Sequence, residues 1–222
     1  MKKILVVGVK GKMGSAVCKV LKNDYKIVEA KRNENWADFK VDLIIDFGSA
    51  SSSVIAAEVA SKMKVPLIIG STGQTKEQFE KIDSLCAGLP YLVCSNFSVG
   101  AVLLKCAIDN VLKVKIDEIA IFEKHHSEKK DAPSGTALSL ERFIKEKQNA
   151  KVQMLSLRGG KEIGTHKVSF YFGSELLEIS HTAFSREAFA EGVKLAVKFM
   201  FENHEPKKVE FENIVKYKFR IK

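Results

Sequence analysis

The chain has 222 residues, more than one small domain and fewer than two full ones. Apolar residues make up 45% and charged residues 28%, which excludes disorder, collagen and low complexity. The formal net charge is +9, with a surplus of six in residues 1–40 and of three in residues 205–222, so a small anionic ligand accounts for it as well as nucleic acid does.

The first half alternates strand and helix. Lys3–Val7 is a strand ending at Gly8. Met13, Ala16, Val17, Val20 and Leu21 then recur at helical spacing. Tyr25–Ala30 is a second strand, and Val41–Phe47 a third, apolar nearly throughout as a strand covered on both faces should be. Ser51–Lys64 is helical, Val65–Gly70 a strand, Thr75–Cys86 a helix and Pro90–Cys94 a fifth strand. Such alternation with short links predicts a parallel sheet with helices on both faces.

Beyond Asn96 the pattern changes. Val99–Leu112 reads as a helix, Ile116–Lys124 as a strand, His125–Gly135 as a polar loop and Thr136–Lys147 as a helix. Three strands follow, Val152–Leu157, His166–Phe172 and Glu175–Ala183. Arg186–Asn203 is a final helix, with Phe189, Val193, Ala196, Val197 and Met200 on one face. Helices set apart from clustered strands predict an α+β domain on a mixed sheet.

The four cysteines form no CxxC pair and sit in apolar stretches, so reduced core thiols are expected. The apolar run at the N-terminus is too short for a signal segment, and no window approaches a membrane span. A cytoplasmic chain that binds neither membrane nor nucleic acid is expected.

Gly8-x-x-Gly11-x-Met13-Gly14 follows the first strand and opens the first helix. Glycine there lets the backbone turn tightly and approach a diphosphate, and a helix N-terminus offers N–H groups to it. Lys31 and Arg32 fall where the second strand should end, which favours the 2′-phosphate of NADPH. Glu29, two residues earlier, suits the ribose hydroxyl of NADH and keeps that cofactor open. Gly70-Ser71-Thr72-Gly73 and Ser95-Asn96-Phe97-Ser98 leave the fourth and fifth strands, at the carboxyl ends where open α/β sheets bind ligands.

The densest polar run is Glu123 to Thr136, which holds His125, His126, Lys129 and Asp131. Adjacent histidines on an extended chain point to opposite faces, so they do not chelate one metal, and no metal is expected. Histidine titrates near neutrality, so proton transfer suits the pair. Lys129 can donate a proton or hold an anion. Ser134 sits at an N-cap position, and Gly135 and Thr136 at a helix N-terminus can bind a carboxylate.

The run E-x-H-H-x-x-K-x-D-A-P-S-G-T-A at Glu123 to Ala137 resembles the signature of the dihydrodipicolinate reductase family of bacterial lysine biosynthesis. Gly8 to Gly14, Asp46-Phe47, Gly70 to Gly73, Asn96 to Gly100, Arg158, Gly164, His166, His181, Ser185-Arg186 and Phe189-Ala190 follow the family in order. Ser71 stands where the family usually has Thr, Cys94-Ser95 where small apolar residues or Pro are common, and Lys31 where many members are acidic. The chain is also shorter than many members.

The resemblance implies a Rossmann-type dinucleotide-binding domain over residues 1–97 and 195–222. It also implies an inserted α+β domain, residues 98–194, for substrate binding and assembly into a homotetramer. It implies NADPH- or NADH-dependent reduction of 4-hydroxy-tetrahydrodipicolinate, a cyclic dicarboxylate. His125 is then the acid/base residue and Lys129 the proton donor, while His126, Ser134, Gly135 and Thr136 bind the substrate carboxylates. The cofactor is expected on Gly8, Val9, Lys10, Gly11, Lys12, Met13, Lys31, Arg32, Gly70, Ser71, Thr72, Cys94, Ser95, Asn96 and Phe97. Two rivals are weighed against this. A semialdehyde or homoserine dehydrogenase needs a catalytic thiol or another Lys/Asp pair, and no cysteine sits in a polar loop. A non-catalytic dinucleotide sensor has no use for the histidine–lysine loop.

Overall fold

The structure is a computed structural model that describes residues 1–31 and 34–221. Arg32, expected at the cofactor site, lies outside the described residues. In chain order the first half holds β1 (Lys3–Val7), α1 (Lys12–Leu21), β2 (Lys26–Ala30), a 3-10 turn (Trp36–Asp38), β3 (Leu43–Asp46), α2 (Ala50–Met63), β4 (Leu67–Ile69), α3 (Lys76–Leu85) and β5 (Tyr91–Val93). The second half holds α4 (Val99–Val111), β6 (Glu118–His125), α5 (Gly135–Lys147), β7 (Lys151–Arg158), β8 (Gly164–Phe172), β9 (Glu175–Ala183), α6 (Glu187–Glu202) and α7 (Phe211–Phe219).

These elements divide into two compact units, Met1–Phe97 with Arg186–Lys222, and Ser98–Ser185. The sequence puts the return to the first unit between 194 and 195. That point falls inside α6, an unbroken helix that packs along α1, and the structure puts the return ahead of the helix.

In the first unit β2-β1-β3-β4-β5 form one parallel sheet. The strands are short and apolar because both faces are covered. Leu5, Val7, Ile44, Leu67 and Ile69 face a core that includes Ala56, Ala57, Ala60 and Ile82 of α2 and α3. The alternate residues Ile4, Val6, Leu43, Ile45, Ile68 and Leu92 are also fully buried. The chain leaves β1 toward β2 and then crosses to the other side of β1 for β3. That reversal opens a crevice beyond the strand ends.

The C-terminal segment completes this unit. Tyr91 N–H donates to Lys207 O at 3.2 Å and Val209 N–H to Tyr91 O at 2.7 Å, which covers the β5 edge. Phe97 stacks between Phe47 and Phe211, with centroids at 5.9 and 5.2 Å. The sequence reading contains neither α7 nor the 3-10 turn. Phe211, Ile214 and Val215 are the buried face of α7, at a spacing one turn long.

The second unit is the expected mixed sheet, in order β7-β6-β8-β9, with β6–β7 parallel and the other pairs antiparallel. Its inner residues Ile119, Ile121, Val168 and Phe170 pack on Leu104 and Ile108 of α4 and on Leu140 and Ile144 of α5. His125 is the last residue of β6, not the start of a loop, because the ladder to β7 runs to the end of the strand and pairs it with Arg158. Of the cysteines only Cys86 is fully buried; Cys18, Cys94 and Cys106 are half-buried. Among the described residues no helix is long and apolar enough to cross a membrane.

Candidate active site

The crevice of the first unit is a cleft of about 460 Å³, lined among others by Gly8, Lys10, Glu29, Lys31, Gly48 and Ser49. Gly8 turns at φ +80°, in the left-handed region. A Cβ on Gly14 would stand 2.1 Å from Gly8 O, so only glycine lets the loop fold back on α1. Helix α1 starts on Gly11, with no side-chain cap and no acid in its first turn. By contrast α2 and α3 are closed by the capping boxes Ser49–Ser52 and Thr75–Gln78. An uncapped helix N-terminus above a glycine cradle fits a dinucleotide diphosphate.

Behind the cleft lies Asp46, fully buried at the end of β3. Its Oδ2 accepts from Ser53 Oγ at 2.8 Å and Ser71 Oγ at 2.7 Å. Its Oδ1 accepts from Ser52 Oγ at 2.7 Å and Gly48 N at 3.0 Å. One carboxylate thus ties the loops after β3 and β4 to the start of α2. The expected cofactor residues divide accordingly. Gly8, Val9, Lys10 and Lys31 line the cleft. Gly11, Lys12 and Met13 form the start of α1. Ser71 turns its hydroxyl inward to Asp46, and Phe97 is 2% exposed in the aromatic stack, so each offers backbone and not side chain to a ligand. Thr72 and Ser95 are exposed. The Cys94 thiol is pushed up to about 11 by burial and points to Asn96 O at 3.1 Å. Gly48, Ser49, Ser52 and Trp36 are cleft residues that the sequence reading lacks. Their one signal is the serine cluster directly after a buried strand.

The second polar site lies on the covered face of the second sheet. Strand register puts Ser156, Glu123, His166 and His181 in one row across β7, β6, β8 and β9. Arg158 stands beside His125 in the next row. Glu123 is fully buried, and His125, His166 and Ser134 are 7%, 5% and 2% exposed. His125 Nδ1 lies 2.5 Å from Glu123 Oε2. Arg158 grips the same carboxylate with both arms, at 3.0 and 2.7 Å. Burial opposes ionisation of Glu123, yet hydrogen bonds from Arg158, Ser156 and His125 hold its carboxyl down at about 2.

Burial lowers His125 below the ordinary histidine range; Glu123 opposes that, and Lys129 and Arg158 add to it. Burial, then the facing His125, brings His166 down to about 4. Glu123, His125 and His166 each bring a donor atom within 4.8 Å of the others. A cation there would meet the Arg158 guanidinium already bound to both Glu123 oxygens, so the donor set suits proton transfer better than a metal.

Lys129 Nζ donates to Asp131 Oδ1 at 2.8 Å. Ser134 caps α5 by accepting Ala137 N–H, and its Oγ lies 3.1 Å from His166 Nε2. Gly135 and Thr136 form the positive end of α5, with no acid in its first turn. His126 is half-buried just past β6, its N–H on Glu162 O at 2.8 Å.

Two family profiles cover most of this chain. "Dihydrodipicolinate reductase, N-terminus" matches residues 28–97, and "Dihydrodipicolinate reductase, C-terminus" matches residues 100–215. A 4-hydroxy-tetrahydrodipicolinate reductase of Alkaliphilus oremlandii is 30% identical, over 90% of this chain and 92% of its own length. One from Campylobacter jejuni is 33% identical, over 88% and 92%. The chain belongs to the dihydrodipicolinate reductase family.

The solved structure of a dipicolinate-bound dihydrodipicolinate reductase from Paenisporosarcina sp. TG-14 superimposes with a TM-score of 0.80 at 22% identity, over 96% of this chain and 99% of that one. A probable dehydrogenase from Thermotoga maritima follows at a TM-score of 0.66 and 11% identity, so the fold extends beyond the family. Within the dihydrodipicolinate reductase signature, the structure gathers Glu123, His125 and Ser134 around one carboxylate. It adds Arg158 and His166 from β7 and β8, which no spacing in the sequence ties to that signature.

Proposed function

We propose that this chain reduces 4-hydroxy-tetrahydrodipicolinate to tetrahydrodipicolinate, with loss of water, in the diaminopimelate route to lysine. The observation that carries this reading is the cluster of His125, Lys129, Ser134, Gly135 and Thr136 around the Glu123–Arg158 pair, in a chain of this family. A nicotinamide dinucleotide, when bound, supplies the hydride. Gly8 to Met13 hold its diphosphate by backbone N–H groups and by the N-terminus of α1. Ser134, Gly135 and Thr136, with His126, hold the substrate carboxylates at the positive end of α5. Lys129 delivers the proton that accompanies departure of the hydroxyl as water. His125 exchanges protons at its Nε2 and offsets the charge that develops on the ring.

NADPH is the preferred cofactor in this reading. Lys31 follows β2 directly and lines the cleft, where its charge suits a 2′-phosphate. Glu29 lines the same cleft and keeps NADH usable. The second unit would also carry self-association into a homotetramer. The outer face of its sheet leaves Leu155, Leu157, Tyr171 and Leu176 between 43% and 59% exposed, as an unpaired interface would. A cytoplasmic location accords with this biosynthetic role.

The test is a coupled assay. Dihydrodipicolinate synthase generates the unstable substrate in place, and consumption of NADPH or NADH is followed by absorbance. Substrate-dependent oxidation is expected, faster with NADPH. If neither cofactor is consumed, the reading fails.

A further inference from the structure

Glu123 is hydrogen-bonded at both oxygens. Oε2 faces His125 Nδ1 at 2.5 Å and Arg158 Nη1 at 3.0 Å. Oε1 accepts from Arg158 Nη2 at 2.7 Å and from Ser134 N–H at 3.3 Å. The same Arg158 Nη2 donates to the carbonyl of Asp131 at 2.5 Å, and the Asp131 carboxylate holds Lys129. One ion pair therefore joins β6 and β7 to the proton-handling histidine, to the lysine and to the head of α5.

We propose that the Arg158–Glu123 ion pair is the positioning device of this site: it fixes His125 with the proton on Nδ1 and Nε2 bare, and it anchors segment 131–134, whose Asp131 carboxylate holds Lys129 and whose end leads into the α5 N-terminus. This rests on the reading of His125 as the acid/base residue and goes beyond it. The physical reason is the acceptor-only character of an ionised carboxylate. The ring nitrogen that faces it must carry the hydrogen, and a neutral imidazole has only one. Without Arg158 the buried carboxylate would lose its compensating charge and take up a proton. A protonated Glu123 could donate to Nδ1 and reverse the tautomer. The other groups that face His125 are Lys129 from the loop and His166 from β8. Both are donors or neutral there, and neither offers a competing carboxylate.

The experiment uses the full chain. Long-range ¹H–¹⁵N spectra of the imidazoles, with His125 assigned by loss of its signals in His125→Asn, report the tautomer and the titration midpoint. The parent should show His125 protonated on Nδ1 near neutral pH. Glu123→Gln should erase that preference, move the midpoint to lower pH because a favourable negative charge is gone, and lower kcat about 10²-fold with substrate KM little changed. Arg158→Lys keeps the charge and loses the fork. It should raise substrate KM several-fold as segment 131–134 loosens, and leave the His125 tautomer in place.

A parent ring protonated on Nε2 overturns the proposal. So do variants that melt earlier yet keep tautomer, midpoint, kcat and KM, since that is a structural role alone. If Glu123→Gln does not fold, the parent tautomer and Arg158→Lys decide. A parent with the Nδ1 proton and no turnover supports the positioning and overturns the functional reading, so the two failures differ.

Discussion

The His125 ring fills the space that Gly164 leaves open. The two residues face each other across β6 and β8, and a Cβ on Gly164 would stand 2.7 Å from His125 Nε2 and 3.0 Å from Cδ2. Gly164→Ala should therefore push the imidazole off its Glu123 contact. A displacement of the order of 1 Å at a reacting group costs about 10²-fold in rate. We expect kcat to fall by that order with only a small drop in melting temperature. Unchanged kcat would mean that the ring has room to shift without consequence.

His125→Asn and Lys129→Met should each lower kcat about 10²–10⁴-fold, the ordinary range for loss of a general acid or base. Cofactor affinity should be unaffected, since both residues belong to the second unit and the dinucleotide cleft to the first. The measurement is steady-state turnover beside a fluorescence titration with NADPH. Near-normal turnover in both variants would remove these residues from the chemistry.

Asp46 accepts from three serine hydroxyls and one backbone N–H while fully buried. Asp46→Ala removes the acceptor that these four donors share; Ser52 and Ser53 can turn to Ser49 O at 2.8 and 3.1 Å, so the loss falls mainly on the Gly48 N–H and Ser71 and costs about 1–3 kcal/mol. The readout is the urea unfolding midpoint at unchanged slope. NADPH affinity should weaken as well, since the loops at Gly48 and Ser71 share this carboxylate. A variant as stable as the parent would show that the serines find other partners.

His166 gives a pH dependence of definite sign. Burial and the facing His125 hold it at about 4, against an ordinary value of 6.5. Between those limits the unfolded chain binds a proton that the folded chain refuses, so stability falls as pH drops through the window. The full effect of this group is about 3 kcal/mol. His125 and His181 are lowered too and add to the same slope, while Glu123 opposes the shift of His166. Glu123 itself, held down at about 2, loses its contribution only at more acid pH. His166→Gln should flatten, and not abolish, the decline in unfolding free energy over this range. An unchanged slope would show that His166 titrates normally.

Much of this was legible in the chain itself. Periodicity located the parallel sheet and the mixed one, because a strand covered on both faces must be apolar at every position, whereas β6 must alternate. The glycines after β1 were readable for the same reason, since a turn that folds back on a helix leaves no room for a Cβ. The signature from Glu123 to Ala137 named the family. Three things were not legible. The inward turn of Ser71 and the burial of Phe97 follow from partners far away in sequence, Asp46 and Phe211. Helix α7 is too short for its spacing to stand out. The return point near residue 186 depends on α6 packing along α1.

By itself the sequence determined the order of the strands, the glycine cradle and the polar run from Glu123 to Thr136 in which the proton-handling groups are proposed, because each is written in local spacing. Only the tertiary structure decided what state those groups are in. Arg158, His166 and Gly164 lie 35, 43 and 41 positions beyond Glu123 along the chain. Strand pairing brings all three to one carboxylate and one imidazole, and burial there makes each neighbour's charge count. Arg158 is the strongest of the contacts that hold the buried Glu123 ionised, and a Cβ at Gly164 would stand 2.7 Å from the His125 ring.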